Sequence, residues 1–250
     1  MALANWIQSL GREIGRGLLQ LVYPGVCHLC AGSTGPEMGA VCVPCRDALL
    51  GDSLPTCPRC AGTIGPFADS DGGCVHCRSV SFSFESVVRL GPYHAPWREA
   101  VLRLKHHTGE GLAEWIGELW AAHARARLQA LHADCVVPIA LHWWRRWRRG
   151  YNQSAALAHG MASVLGLPCY PNWLRRVRNT PAQHLLEPSA RRDNLRGAFR
   201  ISRRARVQGL TVLLIDDVMT TGSTAHEASA VLRRAGAARV IVAAVCRASS

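Results

Sequence analysis

The chain has 250 residues and a formal net charge of +12, enough to bury a proper core and to hold a medium domain with a small one beside it. The charge is uneven: residues 1–134 carry eleven Arg/Lys against twelve Asp/Glu, whereas residues 135–250 carry eighteen Arg against five acids, so the second half suits polyanionic ligands. No apolar run approaches the roughly 20 residues of a membrane span, and the N-terminus lacks a charged start followed by an apolar core, so a cytoplasmic protein is expected.

Trp6, Leu10, Ile14, Leu18 and Leu21 recur at helical spacing, and residues 1–24 are read as an amphipathic N-terminal helix whose apolar stripe docks on the rest of the chain. Membrane-surface attachment is the alternative, opposed by a polar face with only Arg12 and Arg16 and with Glu13 between them. Residues 25–80 are read as a separate module. They hold four C-x-x-C pairs: Cys27 and Cys30, Cys42 and Cys45, Cys57 and Cys60, Cys74 and Cys77. In a reducing compartment such pairs point to metal, and two loops of this kind complete a closed tetrahedral Cys₄ site. Eight thiols therefore predict two structural Zn²⁺ ions in a double zinc-ribbon-like module. Sequential and crossed pairings both remain open. Redox-active dithiols are the rival, though four evenly spread pairs fit a scaffold better than catalysis. His28 and His76 are read as spectators.

From Ser86 the pattern changes, and residues 85–250 read as one α/β domain with a mostly parallel central sheet. S-V-V-R-L-G-P-Y suits a strand, residues 96–127 a helix interrupted near Gly109, and residues 134–139 a second strand. A basic loop, L-H-W-W-R-R-W-R-R-G-Y-N-Q-S, follows at that strand's carboxyl end, where α/β folds place their ligand crevice. Its arginines could clamp diphosphate oxygens bidentately. Trp143, Trp144 and Trp147, interleaved with arginine, read as a stacking platform for single-stranded nucleic acid; a solvated charged turn with one Trp packed inward is the plainer reading. Residues 172–206 carry ten arginines and only Glu187 and Asp193 as acids, and read as a basic lid or a segment without a role.

The most informative stretch is T-V-L-L-I-D-D-V-M-T-T-G-S-T-A, from Thr211 to Ala225. A short β-branched run, Val212 to Ile215, suits a strand buried on both faces. Asp216 and Asp217 then fall at its carboxyl end. Thr220, Thr221, Gly222, Ser223 and Thr224 can wrap backbone N–H groups around one anion, and a helix over residues 225–235 would point its N-terminus at it. Amides for a phosphate, with acids for hydroxyls or a bound Mg²⁺, suit a sugar phosphate. No G-x-x-x-x-G-K-[ST] or G-x-G-x-x-G is present, which removes P-loop and dinucleotide readings. Residues 239–246 close the domain as another buried strand.

This stretch resembles the PRPP-binding motif of type I phosphoribosyltransferases. The whole chain after the first helix is similar to the ComF family, phosphoribosyltransferase-like proteins linked to DNA uptake in competent bacteria. The resemblance is carried by the cysteine knuckles, Lys105-His106, V-P-I-x₅-R-x₂-R-R-G-Y-N-Q-S, T-P-A-Q-H, R-R-D-N-L and I-D-D-V-M-T-T-G-S-T. It implies that Asp216 and Asp217 bind ribose hydroxyls and Mg²⁺, that Thr220–Thr224 bind the 5′-phosphate, and that Arg145, Arg148 and Arg149 hold pyrophosphate. Arg178, Gln183 and Arg192 would belong to the lid. It also implies pyrophosphate displacement at the anomeric carbon, with PRPP and the DNA-uptake machinery as partners. Thr220 stands where purine phosphoribosyltransferases carry Asp, which points away from a purine acceptor. The non-catalytic alternative is a single-stranded nucleic-acid-binding accessory protein.

Overall fold

A computed structural model describes residues 25–34, 40–68, 70, 72–180 and 194–248. The helix expected before residue 25 lies outside these residues, as do Gln183 and Arg192. By contacts the chain divides into two compact units, Met1–Gly51 and Asp52–Ser250. In the smaller unit the first knuckle is a tight turn. Cys27 N–H donates to the Gly32 carbonyl at 2.7 Å, and Ala31 N–H to the Cys27 carbonyl at 3.0 Å. Ala31 takes φ 60°, a left-handed conformation costing about 1–3 kcal/mol outside glycine. Helix α1 (Val43–Leu50) follows Cys42, with Pro44 in its first turn where the missing N–H costs nothing.

The larger unit opens with the same turn again. Cys57 N–H donates to Gly62 at 2.8 Å, Ala61 N–H donates to Cys57 at 2.9 Å, and Ala61 takes φ 54°. Beyond this second knuckle come β1 (Ser86–Pro92), α2 (Trp97–Arg103), α3 (Glu110–His123), α4 (Arg125–Gln129), β2 (Cys135–Pro138), α5 (Trp143–Arg149) and α6 (Gln153–Leu165). They are followed by β3 (Leu174–Arg176), β4 (Phe199–Ile201), β5 (Thr211–Met219), α7 (Ser223–Arg234) and β6 (Arg239–Arg247). Strands β1, β6, β5 and β2 form one sheet in that order with every pairing parallel. β5 is buried from Thr211 through Asp217 without alternation, the pattern of a strand covered on both faces. Helices α3 and α6 cross against each other at Gly117 and Gly160. A Cβ on Gly160 would lie 2.0 Å from the Glu114 carbonyl oxygen, and one on Gly117 2.2 Å from that of Leu157. Only glycine permits this approach.

Four segments differ from the sequence expectation. β5 continues through both aspartates to Met219 because its pairing with β6 continues to Arg247. α7 starts at Ser223, since Gly222 at φ 80° makes the turn into it. The basic stretch after β2 is a helix: the His142 ring accepts from Trp144 N–H at 3.3 Å to start it, and Gly150 at φ 86° ends it. Within residues 172–206, β3 and β4 pair antiparallel, with Leu174 and Phe199 buried in the core.

Candidate functional site

At the carboxyl ends of β2 and β5 the larger unit opens into a cleft of about 820 Å³, a size that suits a small polar ligand. Asp216, Asp217, Thr220 and Thr224 line it, as do Arg145, Arg148 and Arg149. The acids and the arginines singled out in the sequence therefore share one cavity. Thr221, Gly222 and Ser223 complete the turn between Thr220 and Thr224. Gly222 and Ser223 are buried, and Thr221 Oγ1 lies 2.9 Å from Ser223 Oγ. Gly222 at the N-cap has no side chain to offer α7, Thr221 Oγ1 accepts only a long bond from the Ser223 N–H at 3.4 Å, and the first intrahelical bond there is His226 N–H to Gly222 at 2.7 Å. The amides of Ser223 and Thr224 thus precede any intrahelical acceptor, the arrangement that receives an anion.

Both carboxylates are nearly buried, at 8% exposure for Asp216 and 7% for Asp217. They are held from the N-terminus of α6. Ser154 Oγ donates to Asp216 Oδ1 at 3.3 Å, and Gln153 Nε2 to Asp217 Oδ2 at 3.4 Å. The Asp217 N–H also donates to Asp216 Oδ1, at 2.9 Å. Burial, reinforced by the neighbouring Asp217 charge, pushes the Asp216 carboxyl well above the usual carboxylate range. Lys105 Nζ stands 3.9 Å from Asp217 Oδ2. Gln153 and Ser154 were visible in N-Q-S without a role, and their function of aiming the acid pair needed the fold to show it.

Arg176 of β3 also lines the cleft, and nothing distinguished it among the ten arginines of its segment. Its guanidinium donates to Thr180 Oγ1 at 2.5 Å, while Arg145 donates to the Thr180 carbonyl at 2.7 Å, so one residue steadies two cleft cations. Burial, then the Arg145 charge, lowers Arg176 to about 10. Burial also lowers Arg149, which donates to Gln153 Oε1. Arg178 is exposed, donates to the Arg196 carbonyl and does not line the cavity. At about 100° per residue, α5 sends Arg145, Arg148 and Arg149 to the cleft and its tryptophans the other way. Trp143, Trp144 and Trp147 are 66%, 43% and 71% exposed, with Trp144 and Trp147 stacked at 5.3 Å.

The cysteines resolve into sequential groups, Cys27, Cys30, Cys42, Cys45 and Cys57, Cys60, Cys74, Cys77, with the sulfur atoms of each within 4.8 Å of one another. Separations of 3.6 Å for Cys30 to Cys42 and 3.7 Å for Cys57 to Cys77 and Cys60 to Cys74 approach the roughly 3.8 Å edge of a tetrahedron with 2.3 Å metal–sulfur bonds. Each group could hold a metal ion.

The phosphoribosyl transferase domain family matches residues 152–250, covering α6, the acid pair and the anion-binding turn. Across nearly its full length the chain is similar to the DNA utilization protein YhgH of Salmonella typhimurium, at 33% identity over 230 residues, 91% of this chain and 99% of that one. The chain belongs to the ComF family. Competence protein F of Haemophilus influenzae is 29% identical over 226 residues, 89% of this chain and 96% of that one. ComF membership, the matched domain and the parallel sheet together make the fold that of a type I phosphoribosyltransferase, preceded by cysteine groups arranged for metal. A glutamine PRPP amidotransferase from B. subtilis aligns with 54% of this ComF chain and 26% of its own, at 23% identity and a TM-score of 0.37. Among the described residues no helix is long and apolar enough to cross a membrane.

Proposed function

We propose that the protein binds PRPP or a closely related phosphoribosyl ligand with Mg²⁺ in this cleft, in the cytoplasm, and serves the uptake or use of DNA. The observation that carries the reading is the convergence in one cavity of an acid pair, a helix N-terminus and four arginines. The amides of Thr220–Thr224 take the 5′-phosphate. Asp216 and Asp217 take the ribose hydroxyls and present hard oxygen donors suited to Mg²⁺. Arg145, Arg148 and Arg149 take the diphosphate, and Arg178, Gln183 and Arg192 belong to a basic lid over it. Bound Mg²⁺ supplies charge neutralisation at the diphosphate. The protein's own part in displacing pyrophosphate is to orient the ribose and to set its buried carboxylates beside the positive charge that develops at the anomeric carbon. Zn²⁺ is the metal that four cysteinates at this spacing suit, and both groups are assigned to it. The names of the relatives, a DNA utilization protein and a competence protein, support the link to DNA.

Calorimetric titration with PRPP and Mg²⁺ tests the cleft. Wild type should bind and the Asp216→Ala/Asp217→Ala double variant should not; equal heats from both would remove the assignment. A second reading is favoured by the exposed, partly stacked tryptophans of α5: a platform for single-stranded DNA bases flanked by arginine. Its affinity should fall steeply with salt and again on replacing Trp143, Trp144 and Trp147 with alanine, and indifference to both would reject it.

A further inference from the structure

The second cysteine knuckle is built into the wall of the anion-binding turn. Three sets of contacts join them, all within the larger unit. The first runs through Arg247 of β6, a residue only 6% exposed. Its Nε donates to the Cys60 carbonyl at 3.1 Å and one terminal nitrogen donates to the Met219 carbonyl at 3.3 Å. Cys60 is a knuckle residue, and Met219 immediately precedes Thr220. The second runs along the chain leaving Cys77. Arg59 donates to the carbonyls of Cys77 at 2.7 Å and Val80 at 2.6 Å, and its guanidinium lies 5.5 Å from the Phe82 ring. Phe82 and Phe84 stack at 4.5 Å directly beneath Gly222, where a Cβ would meet them at 3.2 and 3.6 Å. Ser83 N–H then donates to His226 Nδ1 in the first turn of α7, at 3.1 Å. The third is apolar: Cys57, Cys60, Cys74 and Cys77 belong to the same buried core as Phe84, Met219 and Ala225.

Few of the forces holding the knuckle are its own. Among the described residues one isolated bridge, Thr56 to Thr63, and a handful of turn hydrogen bonds constrain it, so the geometry of its four sulfurs would depend on an ion that joins them. Releasing such an ion would loosen the Cys60 carbonyl and the segment from Cys77 to Ser83, which are the parts that reach the anion-binding turn. We propose that the metal held by Cys57, Cys60, Cys74 and Cys77 sets the order of the Gly222 turn, with Arg247 as the positioning residue between knuckle and turn. The inference rests on the reading of that turn as the phosphate site, and it gives the knuckle a task beyond stabilising the fold.

Amide hydrogen exchange of residues 220–226, followed on the full chain without ligand, tests it. Arg247→Met should retain its full metal content, measured by chromogenic release. Its exchange at 220–226 should nevertheless speed up about tenfold or more, while α3 and α6 keep their protection. Withdrawing metal from wild type with graded chelator should give the same local pattern as the second ion leaves. If Arg247→Met does not fold, Arg247→Lys, which keeps the buried charge but lacks the planar fork whose separate nitrogens reach the Cys60 and Met219 carbonyls, makes the same comparison. Exchange within twofold of wild type, or acceleration spread evenly through α6, overturns the proposal. Because no ligand enters the measurement, a metal-ordered turn that fails to bind PRPP refutes the ligand reading alone, whereas unchanged exchange beside normal PRPP binding refutes this one alone.

Discussion

Replacing Gly160 with alanine sets two physical effects of opposite sign against each other. Intrinsic helix propensity favours alanine in a helix interior by about 1 kcal/mol. The new methyl group would stand 2.0 Å from the Glu114 carbonyl oxygen, where ordinary contact begins near 3.4 Å, so α3 and α6 would have to part by more than 1 Å. The obstacle is backbone, which no rotamer change relieves, so overpacking should reach the upper part of its usual range, about 3 kcal/mol. The net loss is about 2 kcal/mol, which for a unit of this size lowers the melting midpoint by about 4–8 °C. Differential scanning calorimetry reads it directly. Gly111→Ala is the control, because nothing lies within 4 Å of a Cβ there, and its midpoint should hold or rise. The displacement also moves Gln153 and Ser154 away from the acid pair, so PRPP affinity should fall with the midpoint. A Gly160→Ala protein that melts at or above wild type would show that the close helix crossing is not as described.

Asp52→Ala should cost about 3–5 kcal/mol in chemical denaturation. It strands the Arg89 guanidinium, whose side chain is 2% exposed and otherwise pairs with Asp52 at 3.1 Å; Arg89→Met on the same background should recover much of the loss. Tyr151→Phe removes a buried hydroxyl that donates to the Leu104 carbonyl beside Lys105, and should lower stability by about 1 kcal/mol. Asp216 holds its proton above the usual carboxylate range, so its contribution to stability is fully present below the ordinary carboxyl pKa and is lost as pH rises through the raised value. On the proposed reading, Mg²⁺ held by Asp216 would compete with that proton. Affinity should therefore weaken as pH is lowered, and calorimetry in two buffers of different ionisation enthalpy should report proton release; identical heats would refute it.

The sheet was legible because its four strands are apolar, β-branched runs, and the acid pair was legible because it interrupts one of them. The cysteine pairs announced metal through spacing alone. Their sequential grouping was not legible, since it depends on turns that fold Cys27 toward Cys42 and Cys57 toward Cys74. Trp143–Arg149 gave no helical signal: it has no apolar stripe facing the core, and its helix is set by the His142 ring at one end and a left-handed Gly150 at the other. Arg176 was hidden by its surroundings, one arginine among ten, distinguished only when β3 carries it to the cleft. Gly117 and Gly160 carried no sequence signal of their role, and only the helix crossing shows why no side chain can replace them.

The short helix α5 carries guanidinium groups on one side and indole rings on the other. Should a sugar phosphate occupy the first side and a nucleic acid the second, both occupants would hold the same rigid rod. Thermodynamic reciprocity then fixes their relation: whatever factor the small molecule imposes on affinity for the strand, the strand imposes on affinity for the small molecule. A metabolite level could in this way set how firmly the protein grips DNA, with no motion larger than the settling of one turn of backbone.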